Sequence, residues 1–174
     1  MAALWSRGPV SSARPGHTTA MKTTIVIVGA VAATAAIGSV AADPGSAWYR
    51  SLRKPRWQPP PPAYALVWTP PYVTIAYAAA RALTRAPSRD RRQLAGGLIL
   101  DLALNAAWTP LFFRARRPRA ALAEIACLNI ANVLLIRQTW RADRTAAVLL
   151  VPYAGWTAFA TALNAEIVRL NPSA

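Results

Sequence analysis

Acid, sulfur and imidazole are scarce in this sequence. Its 174 residues hold six Asp and Glu against twenty Lys and Arg, with one cysteine and one histidine. A lone Cys127 excludes an internal disulfide and reads as a small apolar residue packed in a helix. With His17 as the only imidazole, no His/Cys set is spaced to ligate zinc or haem, and no metal site is expected. Nucleophile elbow, Walker loop, HExxH and glycine fingerprint are all missing, so hydrolytic and nucleotide chemistry lack their usual grounds.

Charge is also missing where a soluble helix would carry it. The apolar residues, 55% of the chain, gather into blocks of about twenty that hold almost no charge. The expected fold is all-α: a polytopic membrane protein built as a five-transmembrane-helix bundle. The helices are expected at about 23–42, 64–83, 94–113, 119–138 and 145–165, each able to cross a core of about 30 Å at 1.5 Å per residue. Residues 1–21, rich in Pro, Gly, Ser and Thr, read as a disordered tail, 22–171 as the membrane domain and 172–174 as a C-terminal tail. Met21-Lys22 directly precedes the first block and is a second candidate start. Val40-Ala41-Ala42 resembles a signal cleavage site, but the apolar run before it has the length of a retained span. Pro70-Pro71, Pro110 and Pro152 fall inside blocks, where neighbouring helices can satisfy the freed carbonyls and kinks can open space for a pocket.

A net charge of +14 and a pI near 11.6 would suit nucleic acid. The arginines, however, sit in the gaps between apolar blocks, at the level of headgroups. Anionic lipid is therefore the expected partner, and nucleic acid is not. With five spans, one face receives eleven Lys/Arg and the other nine, too even a split to set orientation. Arg outnumbers Lys nine to one, a composition that suggests a high-GC bacterium and hence a bacterial cell membrane.

The long connection DPGSAWYRSLRKPRWQPPPPA, residues 43–63, stands out from the short ones. Trp48, Tyr49, Trp57, Arg50, Arg53, Lys54 and Arg56 suit an interfacial anchor. The prolines also stiffen it, which suits a cationic aromatic lid over a site for an apolar anion. Trp140 reads as a belt residue in a loop. Trp68, Trp108 and Trp156 fall inside blocks with polar companions: Asn105 lies one turn before Trp108, Asn164 two turns after Trp156, and Tyr72 one turn beyond Trp68. Polar groups at membrane depth usually face a cavity or the bundle interior. Asp101, one turn before Asn105, is either a functional acid or a protonated or Asn/Arg-paired packing group. Glu124 is expected to pair with Arg119 or reach the interface, and Glu166 to pair with Arg169. Gly96-Gly97 marks a helix-packing spot and a modest candidate dimer surface.

The segments WYRSLRKPRWQPP, VWTPPY, LNAAWTPLFF and VPYAGWTAFATALN, in this order over about residues 22–171, resemble the signature of the tryptophan-rich sensory protein and translocator protein family (TspO/MBR). The resemblance implies a five-helix membrane fold, often dimeric, that binds porphyrins such as protoporphyrin IX as ligand rather than as a required cofactor. It places the pocket at Tyr49, Trp68, Tyr72, Asn105, Trp108, Trp156 and Ala160. Trp68 and Trp156 match the family's porphyrin-reactive tryptophans, the candidates if the chain breaks porphyrin down in light. Transport, sensing and stress regulation are the other roles implied; a lipid- or partner-binding module is a third reading. The chain departs from the pattern at Pro62, Asp101 and Val168, where the family often has Trp, Gln and Trp. It also lacks the tyrosine that a sterol pattern needs between Leu163 and Arg169.

Overall fold

A computed structural model describes residues 17–172, so the segment 1–16 of the expected tail lies outside the described residues. Five long helices are present: α1 (His17–Ala41), α3 (Pro61–Arg85), α4 (Ser88–Thr109), α5 (Pro118–Ala142) and α6 (Arg144–Leu170). A short α2 (Ala47–Ser51) lies in the long connection, and no strand occurs among the described residues. Among the described residues, four stretches are long and apolar enough to cross a membrane: Ala20–Ala41, Ser88–Arg114, Pro118–Ala142 and Arg144–Leu170. Only 22–33% of their apolar windows is buried within the chain. Ile25, Val26, Ile99 and Ile130 accordingly face outward, as apolar residues that lipid covers do. The chain is a polytopic helical membrane protein. The fifth long helix, α3, which holds Pro70 and Pro71 in its interior, does not reach this measure among the described residues.

Helix ends reach beyond the expected apolar blocks. The first turns of α4 hold Arg89, Asp90, Arg91 and Arg92, and α6 runs on to Leu170. Hydropathy marks only the part of a helix that lipid would touch, while the backbone ladder continues into charged turns. Likewise α1 begins at His17, inside the segment read as tail. Pro61 and Pro62 open α3 at its first turn, where a missing N–H costs nothing. Pro110 does not simply kink its helix: residues Pro110–Arg114 form a π-helical turn in which the Ala115 N–H donates to the Pro110 carbonyl at 2.9 Å. Arg116 then takes a positive φ of 55° and turns the chain sharply into α5.

The helices close into a ring in the order α1, α3, α6, α5, α4 and back to α1. Half of the bundle is filled by Ile75, Ala78, Ala82, Leu98, Leu135 and Leu150, small residues letting α3 approach its neighbours closely. A smaller core, including Leu52, Phe112, Leu163 and Ile167, lies at the other end beneath the long connection. Along the α5–α6 seam, Asn132 Nδ2 donates to Thr157 Oγ1 at 3.0 Å, Thr157 Oγ1 to Asn129 Oδ1 at 2.9 Å, and Asn129 Nδ2 to Thr161 Oγ1 at 2.6 Å. Such bonds satisfy polar groups that lipid cannot.

Away from the long connection, Asp143 joins three elements. It caps α6 by accepting from the Ala146 N–H at 2.9 Å, and it pairs with Arg81 at 3.0 Å and with Arg85, both on α3. Its carboxyl is held well below the usual carboxylate range, chiefly by the Ala146 amide, with the two guanidinium groups adding to the effect against desolvation.

Candidate functional site

Between the two cores the ring encloses a cavity of about 530 Å³. All five long helices line it, and its volume lies in the range of small-molecule sites. Its walls follow from helical spacing. Trp68 and Tyr72, four apart on α3, stack at 5.2 Å with planes 22° apart. Trp156 and Phe159, three apart on α6, stack at 5.2 Å and 25°. Trp68 and Trp156 then meet edge to face at 6.0 Å. On the facing side, Trp108 stacks on Phe112 at 5.1 Å, and its indole N–H donates to Asn164 Oδ1 at 3.1 Å. Asn164 in turn donates to the Pro118 carbonyl at 2.9 Å, so one buried amide ties α4, α5 and α6 together and fixes the Trp108 ring.

All seven expected pocket residues line this cavity: Tyr49, Trp68, Tyr72, Asn105, Trp108, Trp156 and Ala160. The long connection roofs it. Ser46 caps α2, its Oγ accepting from the Tyr49 N–H at 3.2 Å, and this directs Trp48 and Tyr49 onto Phe112. Asn171 latches the connection to the end of α6 by two bonds to the Arg53 backbone, both of 2.9 Å. Gln58 donates to the Tyr49 hydroxyl at 3.0 Å, while burial pushes that phenol above its ordinary value against the effect of the Gln58 bond. Trp57 is about half exposed and meets Phe159 edge to face at 5.7 Å.

None of the basic residues of the connection is among the described residues that line the cavity. Arg50, Arg53 and Arg56 are exposed and take no ion pair among the described residues. Lys54 lies 4.5 Å over the Tyr49 ring and donates to the Leu52 carbonyl at 3.1 Å, and partial burial lowers its proton affinity.

Of the readings open for Asp101, pairing with Asn or Arg does not occur among the described residues: it is wholly buried and accepts from the Tyr153 hydroxyl at 3.1 Å. Three expectations change. Glu124 does not meet Arg119, which donates instead to the Pro172 carbonyl at 2.6 Å; both Glu124 oxygens are buried without a hydrogen bond among the described residues. Trp140 lies in the last turn of α5 rather than in a loop, where Arg144 packs 5.8 Å over its ring. Cys127 is exposed on α5 rather than packed. The Glu166–Arg169 pair forms at 2.6 Å. Gly97 packs tightly against Gln138 of α5, whereas nothing lies within 4 Å of a Cβ built on Gly96.

Phe112, Phe113 and Phe159 belong to the wall, although the only aromatic residues expected there were tryptophans and tyrosines. Their signal was present in helical spacing: Phe112 follows Trp108 by four residues and Phe159 follows Trp156 by three.

The profile of the TspO/MBR family matches residues 24–170. The chain is similar to the tryptophan-rich protein TspO of Chlorobaculum tepidum, 36% identical over 132 residues that cover 74% of this chain and 82% of that one. It is similar to the tryptophan-rich sensory protein of Cereibacter sphaeroides, 36% identical over 124 residues covering 71% and 77%. It also resembles the human translocator protein, 33% identical over 129 residues covering 73% and 76%. Family profile, ordered motifs and tryptophan-walled bundle agree, and the chain belongs to the TspO/MBR family.

Proposed function

We propose that this protein binds a tetrapyrrole, protoporphyrin IX or a close relative, in the cavity between its helices, and serves porphyrin transport, sensing or stress regulation. The observation that carries this reading is the wall made by Trp68, Trp108 and Trp156 around about 530 Å³, large flat faces suited to a planar macrocycle. Arg50, Arg53, Lys54 and Arg56, on the connection that contributes Pro44 and Tyr49 to the cavity wall, suit its propionates, and Arg makes the stronger, bidentate kind of pairing. The Trp68–Trp156 contact at 6.0 Å supports a second reading, in which an excited porphyrin exchanges an electron with an indole and is broken down in light.

A tryptophan-quenching titration with protoporphyrin IX in detergent tests both. Saturable quenching is expected, with the porphyrin's absorption unchanged in darkness. Catalytic conversion in the dark would replace the binding reading with an enzymatic one. If conversion occurs only under light and oxygen, Trp156→Phe should slow it more than it weakens binding.

The setting proposed is a bacterial cell membrane with α3 as a fifth crossing, and a second copy as partner, for which the open Gly96 face of α4 offers room. Since α1 and α6 run in the same direction around the ring, topology reporters fused at Met21 and after Ala174 should report opposite faces. Signals from the same face would remove one crossing.

A further inference from the structure

We infer that the deep end of the cavity is a hydrogen-bonding subsite whose polarity is set by the proton on Asp101. It takes a ligand N–H when that carboxyl is ionised and a ligand carbonyl when it is protonated. The inference rests on reading the cavity as a site for flat aromatic ligands.

Four side chains from three helices form an unbroken line inward from the cavity wall. Tyr72 of α3 and Asn105 of α4 both line the cavity. The Tyr72 hydroxyl donates to Asn105 Oδ1 over a long 3.4 Å, Asn105 Nδ2 donates to the Tyr153 hydroxyl oxygen at 2.9 Å, and the Tyr153 hydroxyl donates to Asp101 Oδ2 at 3.1 Å. Tyr153 and Asp101 have no exposed surface at all. Every hydrogen in this line points toward Asp101, the order that an ionised carboxylate requires because it can only accept. Tyr72 thereby spends its hydrogen inward and leaves only lone pairs for the cavity.

A protonated Asp101 lets the line reverse. The neutral carboxyl has a hydrogen of its own, and since Asp101 Oδ1 makes no hydrogen bond among the described residues, a turn of the carboxyl can present that hydrogen to the Tyr153 oxygen. Tyr153 must then send its hydrogen to Asn105, which can accept after a half-turn of its amide. That half-turn points Nδ2 at the Tyr72 oxygen and frees the Tyr72 hydrogen for the cavity. No covalent bond changes apart from the one proton gained at Asp101. An amide at position 101 would carry donor and acceptor together and could not switch.

The ionisable groups around Asp101 leave this line in control. Tyr153 faces it from α6, with Tyr72 of α3 beyond. α1 carries no charge after Lys22, which is exposed. From α5, Gln138 lies against Gly97, one turn from Asp101, and Arg137 is exposed. No ion pair among the described residues includes Asp101.

Two flat tricyclic probes of similar outline test the switch: carbazole, which offers an N–H, and fluorenone, which offers a carbonyl. Their affinities are measured by calorimetry in detergent across pH, with empty micelles as blank, for the wild type, Asp101→Asn and Tyr153→Phe. As pH rises and Asp101 ionises, carbazole should bind about tenfold more tightly and fluorenone about tenfold more weakly, the scale of one mismatched buried hydrogen bond. Both slopes should vanish in either variant, so a variant that fails to fold leaves the other to decide. Infrared titration of the wild type should show a protonated-carboxyl band lost over the same pH range and absent in Asp101→Asn. Parallel slopes for the two probes, slopes that survive both variants, a carboxyl that does not titrate, or failure of either probe to bind would each overturn the inference. Porphyrin takes no part in the test, so its outcome is separate from that of the proposed function.

Discussion

Trp156→Ala is expected to weaken protoporphyrin IX binding by about 1–3 kcal/mol, the scale of one buried aromatic contact, while Trp140→Ala leaves it unchanged. Both residues are tryptophans on helices, and their surroundings separate them. Trp156 lines the cavity, stacks on Phe159 and meets Trp68 edge to face. Its loss removes one face of the site and frees both neighbouring rings. Trp140 is 49% exposed at the far end of α5 and touches only the Arg144 guanidinium among the described ring contacts. Quenching titrations read both variants directly. Equal losses at the two positions would mean that binding occurs on the protein surface and not between the helices.

Asp143→Ala should lower the melting temperature in detergent by a few degrees or more, and Asp143→Asn by less. The alanine removes the α6 cap and both ion pairs to α3, whereas asparagine keeps an oxygen for the Ala146 N–H and gives up only the charge. Arg81 and Arg85 are 26% and 52% exposed in their side chains, so salt should screen their part of the effect. The pH dependence follows from the sign of the shift. The folded carboxyl is depressed below its ordinary value of 3.8, so its stabilisation is complete above that value and is lost as pH falls below it. Wild type and Asp143→Asn should therefore converge in stability on acidification below about pH 4. A gap that stays constant to lower pH would show that the charge on Asp143 contributes nothing.

Much of this architecture is legible in the sequence because lipid imposes simple rules. Uncharged blocks of about twenty residues mark helices, and polar residues within them mark the interior. That reasoning finds Asn105, Asn164 and Asp101, and all three prove buried. It misplaces helix ends, because the charged turns of α4 and the last turns of α5 and α6 lie beyond the part that hydropathy describes. It also misses partners. Asp101 is visible as an intramembrane acid, but Tyr153, 52 residues away on another helix, becomes its partner only when the ring closes. The same holds for Asp143, which reads as a loop residue until α3 brings Arg81 and Arg85 across to it. The lid is half legible. Trp48 and Tyr49 pack onto Phe112 as their type suggests, but Arg50, Arg53 and Arg56 stay exposed, since an unpaired guanidinium is costly to bury.

The central claim is that the aromatic cavity within the ring of helices is the porphyrin site, and Ala160 gives the most direct access to it. Ala160 lines the cavity with a side chain of one carbon, so Ala160→Phe places a ring in the ligand's space and replaces none of the residues of the Trp108–Asn164 bond or the Asn171 latch. Protoporphyrin IX titrations of wild type and Ala160→Phe, at matched thermal stability, should show saturable quenching in the first and its loss in the second. Undiminished saturable binding by Ala160→Phe would contradict the claim and move the porphyrin out of the bundle.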